Sequence, residues 1–164
     1  MINNMDDLNK VLQPLIEKAM KLTEDAIFKV VSQKIVDYYN EPVFDNSLDP
    51  SESVYYNRTG RLLEELTASK IEKKGNQFSF TIGWDDDYLS FRYPGGFVKK
   101  HTSASYNKAT GLQVLNWMNS SSHGGTVDGE HDFWDEALGE LGNEAGILNI
   151  FKQNCKRVGI PIIN

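Results

Sequence analysis

Three different kinds of sequence follow one another in the segment Tyr55-Tyr56-Asn57-Arg58-Thr59-Gly60-Arg61-Leu62-Leu63-Glu64-Glu65-Leu66. Two tyrosines and a basic residue come first, and a Thr-Gly step follows. The leucines from Leu62 to Leu66 then have the spacing of one side of a short helix. The segment therefore predicts a short helix capped by the Thr59 hydroxyl, with Gly60 allowing a sharp bend before it. It joins a helical part of the chain to a part rich in strands.

The part before this segment predicts one long helix. Its apolar residues recur three or four positions apart, as on one face of a helix. They are Leu8, Leu12, Leu15, Ala19, Leu22, Ala26, Val30 and Tyr38. Other apolar residues widen this stripe, so we expect the helix to contact either core on two sides or a neighbouring subunit. Because Pro14 cannot donate a helical hydrogen bond, we expect a short first turn and then a helix over residues 13–39.

The part after the segment predicts a β-hairpin. Residues 68–73 and 77–84 flank Lys74-Gly75-Asn76, and aromatic or aliphatic side chains alternate with polar or small ones in the second run. These side chains are Phe78, Phe80, Ile82 and Trp84. We expect their face to lie against the long helix. Residues 88–93 predict a third strand, and residues 101–109 predict a polar loop.

Three further helices are predicted in the second half of the chain. They are 111–119 with Thr110 as its cap, 132–141, and 143–157 with Asn143 as its cap and Gly159 as its stop. Residues 160–163 then favour an edge strand. Trp117 and Trp134 lie in apolar helical patterns and are expected in the core.

These elements predict one α+β domain over residues 1–164. A long N-terminal helix and a C-terminal helix would pack on a small antiparallel sheet, with an irregular Gly-rich insertion over residues 85–132. A chain of 164 residues can bury a core without disulfides or a metal. Its composition, 40% hydrophobic and 24% charged, is typical of a globular protein.

Charge and composition argue against several classes of protein. A net charge of -6 and a pI near 5.1 disfavour an electrostatic grip on nucleic acid, which needs clustered Lys and Arg. The start of the chain lacks the pattern of a signal peptide, and no apolar run has membrane-spanning length. The lone Cys155 cannot form an intrachain bridge and is expected to be a small structural residue in a reducing compartment.

Only one group of residues resembles a metal or catalytic site. His123, His131 and Asp135 lie among further acidic residues, and His131 and Asp135 are four positions apart. A metal-dependent hydrolase using these three residues is an alternative function. However, the group lacks the His-Glu-x-x-His spacing and paired cysteines, so we expect surface polar residues and helix caps, with no metal and no cofactor. The run Asp85–Asp87 predicts a solvated turn in the same way.

The better candidates for binding lie in the opening segment. Tyrosine and arginine are enriched at interfaces, because aromatic rings bury large area and Arg makes forked hydrogen bonds. For Tyr55 core packing is an equal alternative, and for Arg61 surface solvation is. The candidate interface residues are Tyr55, Tyr56, Arg58, Thr59, Gly60 and Arg61.

The pattern Tyr56-x-Arg58-Thr59-Gly60-x-Leu62, between a long amphipathic helix and a β-hairpin, resembles the neck or tail-completion proteins of tailed phages. Four later features are similar to minor structural proteins of phages and prophages of Gram-positive bacteria. They are Gly111–Met118, His123-Gly124-Gly125, Phe133-Trp134 and Ile147–Ile162. The resemblance covers most of the chain. The long region from Asp85 to Asp132 departs from the simplest members.

The resemblance implies a non-enzymatic protein of the head-tail junction. Such a protein is made in the cytoplasm of the bacterial host and located in the virion. It would form a ring of identical copies that joins the connector to the tail. Its partners would be itself, the adjacent connector or head-closure proteins and tail proteins, with no specific nucleic-acid sequence and no membrane. A further alternative is a cytoplasmic protein-interaction module unrelated to phage.

Overall fold

The computed structural model describes residues 5–40, 60–92, 108–119 and 132–162. Its helices are α1 Met5–Asn40, α2 Arg61–Glu64, α3 Asp86–Leu89, α4 Gly111–Asn119, α5 Phe133–Glu140 and α6 Asn143–Arg157. Its strands are β1 Thr67–Ala68, β2 Glu72–Lys74, β3 Gln77–Ser79, β4 Ile82–Gly83, β5 Phe91–Arg92 and β6 Lys108–Ala109. The fold is α+β, with the long N-terminal helix and the C-terminal helix that the sequence predicts.

Helix α1 is continuous over 36 residues and carries Pro14 in its interior. The prediction of a short first turn and a helix from residue 13 was therefore wrong. Pro14 removes one hydrogen bond to the carbonyl of Lys10, but both residues are exposed, so water can reach that carbonyl. The apolar spacing continues on both sides of Pro14, which favours one helix over two.

The strands form three two-stranded sheets, whereas the sequence predicted one small sheet. They pair as β1 with β4, β2 with β3, and β5 with β6. The β2–β3 hairpin is confirmed: it is antiparallel, and Lys74 lies opposite Gln77 across the turn. Gly75 takes a left-handed φ of 63° at the first turn position, as two-residue hairpin turns require.

Residues 85–92 differ from the predicted third strand. The Asp85 carboxylate accepts the N–H of Asp87 at 2.9 Å, so it caps one helical turn, α3, and only β5 is extended. The predicted polar loop is wrong at its end, because Lys108 and Ala109 form β6 opposite β5. Residues 160–162 form no strand, in contrast to the predicted edge strand, and follow a tight helix end that redirects the chain.

Helix α4 has the predicted bounds and the predicted cap. The Thr110 hydroxyl accepts the N–H of Gln113 at 3.2 Å, and the Gln113 side chain accepts the N–H of Thr110 at 2.9 Å. This reciprocal pair is a capping box, which satisfies two backbone donors that a helix start otherwise leaves unpaired. Its sequence signal, Thr followed by Gln three residues later, is local and readable without tertiary information.

Helix α6 has the predicted bounds and the predicted stop, but a different residue caps its start. Gly159, at φ 93°, terminates it, and the Ile160 N–H donates to the Cys155 carbonyl at 2.9 Å, as in a Schellman motif. At its start Gly142, not Asn143, is the capping residue, with no side-chain hydrogen bond. Both residues are left-handed, so the corner between α5 and α6 is very tight.

The chain forms two compact units, each made of separated segments. The described part of unit 1 covers 5–33, 68–82 and 134–162, and that of unit 2 covers 34–40, 60–67, 83–92, 108–119 and 132–133. The buried apolar residues of unit 1 are Ala19, Ile27, Val31, Ala137, Leu141 and Cys155. Those of unit 2 are Ile35, Tyr38, Leu62, Leu66, Leu89, Ala109 and Phe133. Because α1 supplies residues to both units, its stripe is wider than one core requires.

Candidate interaction surface

The structure describes only part of the predicted interface. Gly60 and Arg61 lie at the start of α2, whereas Tyr55, Tyr56, Arg58 and Thr59 lie outside the described residues. Gly60 has φ 78°, which confirms the predicted bend. Its carbonyl accepts the N–H groups of Leu63 and Glu64 at 3.0 and 3.1 Å, so Gly60 caps α2 in the place predicted for Thr59. Arg61 is exposed.

Trp84 holds α2 in place within unit 2. Its indole Nε1–H donates to the Leu62 carbonyl at 2.7 Å, and its ring meets that of Phe133 edge to face, with centroids 5.5 Å apart. The sequence predicted that Trp84 would face the long helix along with Phe80. Phe80 lies beside Met20 and Thr23 of α1, in agreement with this prediction. Trp84 contacts Leu62 and Phe133. Leu62 is thereby buried and Leu63 is 36% exposed.

The predicted metal candidates are only partly described. Asp135 is exposed on the first turn of α5, and His123 and His131 lie outside the described residues. Within residues 5–40, 60–92, 108–119 and 132–162, no group of three or more His, Cys, Asp or Glu side chains could hold a metal ion. Asp85 and Asp87 are exposed, and the Asp85 carboxylate is engaged as a helix cap.

The first three turns of α1 carry apolar side chains that the described chain does not bury. From Asp7 to Lys18 every residue is half-buried or exposed, although Leu8, Leu12, Leu15 and Ile16 would suit a core. Val11 is 50% exposed. The last turns of the same helix differ, because Val31 and Ile35 are almost completely buried. The N-terminal third of α1 is thus less completely buried than its last turns, and Val11 is the large apolar side chain that it exposes.

Unit 1 also contains an open apolar cleft of about 330 Å³. Its walls come from α1, from the segment after β3, and from the first half of α6. The lining residues are Met20, Thr23, Phe80, Glu144, Ile147, Leu148 and Phe151. Leu148 is 51% exposed, so a large apolar side chain stands at the cleft with half of its surface in water. The sequence predicted a helix for these α6 residues and carried no signal of the cleft.

Polar contacts fix the walls of this cleft. The Thr23 hydroxyl donates a hydrogen bond to the Ala19 carbonyl at 2.9 Å and accepts one from the Asn154 side-chain amide at 3.1 Å. The second of these hydrogen bonds joins α1 to α6. The Lys73 ammonium donates to the Gln13 side chain at 2.6 Å, which ties the hairpin to α1. Because Thr23 is buried, its pairing with Asn154 sets the register of the two helices. A Thr at an otherwise apolar stripe position was the sequence signal for this contact.

One charged cluster lies on α1 beside the cleft residues. The Lys21 ammonium contacts both the buried Glu24 carboxylate and Asp25, the latter at 3.1 Å. These contacts, with Glu24 first and Asp25 second, raise the pKa of Lys21 above its usual value. Charged Lys21 therefore compensates the negative charge of the Glu24 carboxylate, which lies on the buried face of α1.

Cys155 lies on the buried side of α6, with 2% of its surface exposed. Burial raises the pKa of its thiol, because a thiolate would lose hydration there. Cys155 is therefore a core residue, whereas the sequence allowed either a core or a surface position.

Comparison with known proteins found no matching family, no similar curated protein and no similar solved structure. None of the described helices combines the length and the apolarity that spanning a membrane requires.

Proposed function

We propose that this protein is a non-enzymatic structural component of a tailed-phage or prophage virion. In this proposal it belongs to the head-tail junction, where copies assemble into a ring that joins the connector to the tail. Its immediate partners are further copies of itself and the adjacent head-closure and tail proteins. Its action consists of binding between surfaces, with no covalent step.

The surface of α1 is the observation that carries the proposal. In this helix of 36 residues Val11 is 50% exposed and its apolar neighbours are only partly buried, whereas Val31 and Ile35 further along are almost completely buried. Burying apolar area stabilises by about 25 cal/mol per Å², so such a surface favours association. The resemblance of the Tyr56–Leu62 segment to tail-completion proteins supplies the class of assembly.

The charge of the chain agrees with this role. A net charge of -6 does not favour retention of DNA on the protein surface. A ring that DNA crosses during ejection requires surfaces to which phosphates do not adhere.

The proposal is tested on particles and on the purified chain. Particles induced from the strain that carries the gene are purified and analysed by mass spectrometry, and the purified chain is studied by light scattering and negative-stain microscopy. We expect the chain in the particles, in a multiple-copy ratio to the portal, and rings formed alone or with the connector. A chain that is absent from particles and stays monomeric with every junction protein refutes the proposal.

Position in the genome gives an independent check. We expect portal, capsid and tail genes beside this gene. A neighbourhood of metabolic genes would contradict a virion role.

A further inference from the structure

The lining of the cleft in unit 1 is suited to binding an apolar side chain. Thr23 and Glu144 are its polar lining residues, and the Thr23 hydroxyl already donates to Ala19 and accepts from Asn154. Small-molecule sites usually place several convergent polar groups among apolar walls to orient the ligand. Here only the Glu144 carboxylate is left for that purpose. The lining therefore favours an apolar protein side chain with a cation beside it.

Unit 1 presents such a side chain on α1. Val11 is 50% exposed, and Pro14 and Lys18, also exposed, follow it at positions three and seven residues later, on the same side of the helix. Lys18 thus supplies a positive charge on the face that carries Val11. Within the described residues, no salt bridge engages Lys18 or Glu144.

The other exposed apolar side chains of the described chain fit the cleft less well. Leu63 is followed directly by Glu64 and Glu65, so it would bring negative charge towards Glu144. Leu112 is 63% exposed but has the uncharged neighbours Gly111 and Gln113. Val11 is therefore the side chain whose surroundings complement the cleft.

The spacing along the two helices is also compatible. Leu148 and Glu144 are one turn apart on α6, about 6 Å, and Val11 and Lys18 are two turns apart on α1, about 10 Å. The flexible Lys18 stem can cover the difference when Val11 lies at Leu148. The two helices then run antiparallel, with Lys18 near Glu144.

We propose that the cleft of one copy receives the Val11 face of α1 from a second copy, with Lys18 of the second copy paired to Glu144 of the first. This inference rests on the proposed ring, which requires a contact between two different surfaces. The Val11 face and the cleft are different surfaces, so the contact is heterologous. It can repeat from copy to copy, and the copies then close a ring or extend a filament.

Disulfide trapping tests which surfaces meet. Two chains of different tag length are prepared, one with Val11→Cys and one with Leu148→Cys, and are mixed at the concentration that gives assembly and then oxidised. We expect cross-linked dimers that contain one chain of each kind, and none from either variant alone. A mixture of Leu112→Cys with Leu148→Cys is the control for an exposed residue outside the contact. The wild type, whose Cys155 is buried, is the blank.

Charge reversal tests the pairing of Lys18 with Glu144. Lys18→Glu or Glu144→Lys alone is expected to weaken self-association about threefold to tenfold, and the double variant is expected to restore it. Val11→Asp should weaken it about tenfold to a hundredfold, because a charge would replace a buried side chain. Lys70→Glu and Glu72→Lys, both exposed on unit 1, are the matched controls and should leave association unchanged.

The outcomes separate this inference from the proposed ring. If the wild type assembles but Val11→Cys and Leu148→Cys do not cross-link and the double reversal does not rescue, the ring stands and this contact is wrong. If either single-cysteine variant forms cross-linked dimers on its own, identical surfaces meet and the inference is also wrong. If the wild type never assembles, both proposals fail.

Discussion

Replacing Gly146 by alanine should destabilise unit 1 more than any other single-methyl addition to a glycine described in the structure. Gly146 lies in the first turn of α6, directly after the corner formed by Gly142 and Asn143. An added Cβ would stand 1.8 Å from the Leu141 carbonyl oxygen, whereas ordinary Cβ contacts begin at 3.4 Å. The obstructing atom belongs to the backbone, so no rotamer change relieves the overlap.

Two opposing effects set the magnitude. Alanine is favoured over glycine in a helix by about 1 kcal/mol. Overpacking against a fixed neighbour usually costs about 1–3 kcal/mol and occasionally more, and here the Leu141 carbonyl must move while its side chain is buried. Because the overlap is with a backbone atom, we take the upper end of that cost, and the net loss in the free energy of unfolding is about 2 kcal/mol. This lowers the melting temperature by about 4–8 °C for a chain of this length.

The measurement is urea unfolding followed by circular dichroism, with amide hydrogen exchange of α6 as a local probe. Gly139→Ala is the matched control, because Gly139 lies in α5 with no atom within 4 Å of the added Cβ. That variant should be neutral or more stable by roughly 0.5–1 kcal/mol.

The reasoning would be refuted if Gly146→Ala kept its unfolding free energy within about 0.5 kcal/mol of the wild type, since surface changes of no structural consequence fall in that range. Equal losses for Gly146→Ala and Gly139→Ala would also contradict it, because the two sites share the chemical change and differ only in the overlap with Leu141.

Three further predictions concern contacts described above. Thr110→Ala removes the cap of α4 and should cost about 1 kcal/mol, measured by urea unfolding, whereas Thr110→Ser should retain most of it. Trp84→Phe keeps a ring but leaves the Leu62 carbonyl without its indole donor, so the free energy of unfolding should fall by about 1–2 kcal/mol; an unchanged value would show that water replaces the donor. Burial raises the pKa of Cys155 above 9.0, so the contribution of its thiol to the free energy of unfolding is complete below about pH 9 and is lost as pH rises further. Cys155→Ala should remove this dependence of the free energy of unfolding on pH. Thiol labelling of the native wild type at pH 8 should be far slower than labelling in denaturant.

Local signals in the sequence predicted the helices well. The Thr110 and Gln113 pair gave the start of α4, and Gly159 gave the end of α6, because each motif closes hydrogen bonds within a few residues. The hairpin was predicted by Gly75, whose left-handed φ any two-residue turn of this kind needs. These features depend on neighbours along the chain and on nothing further away.

Sequence reasoning failed at Pro14 and at the predicted third strand, and it did not give the contacts of Trp84. Pro14 was expected to interrupt α1, but the exposed position of its turn lets water replace the missing hydrogen bond. Residues 88–93 were expected to form a strand, but the Asp85 cap closes one turn of helix that runs to Leu89. The contacts of Trp84 with Leu62 and Phe133 were not predicted, because alternation along a strand gives the face of a side chain and not the element that it meets.

For the candidate interaction surface, too, one part could be predicted from the sequence and another required the structure. The sequence alone determined that α1 has an apolar stripe wider than one core requires, because periodicity is a property of the chain. Only the tertiary structure decided that Val11 is left exposed on α1 and that Phe80, Leu148 and Phe151 line a cleft in unit 1. The physical reason is that burial depends on which surfaces come together across many residues, as Thr23 and Asn154 do over 131 positions, and no local spacing encodes that pairing.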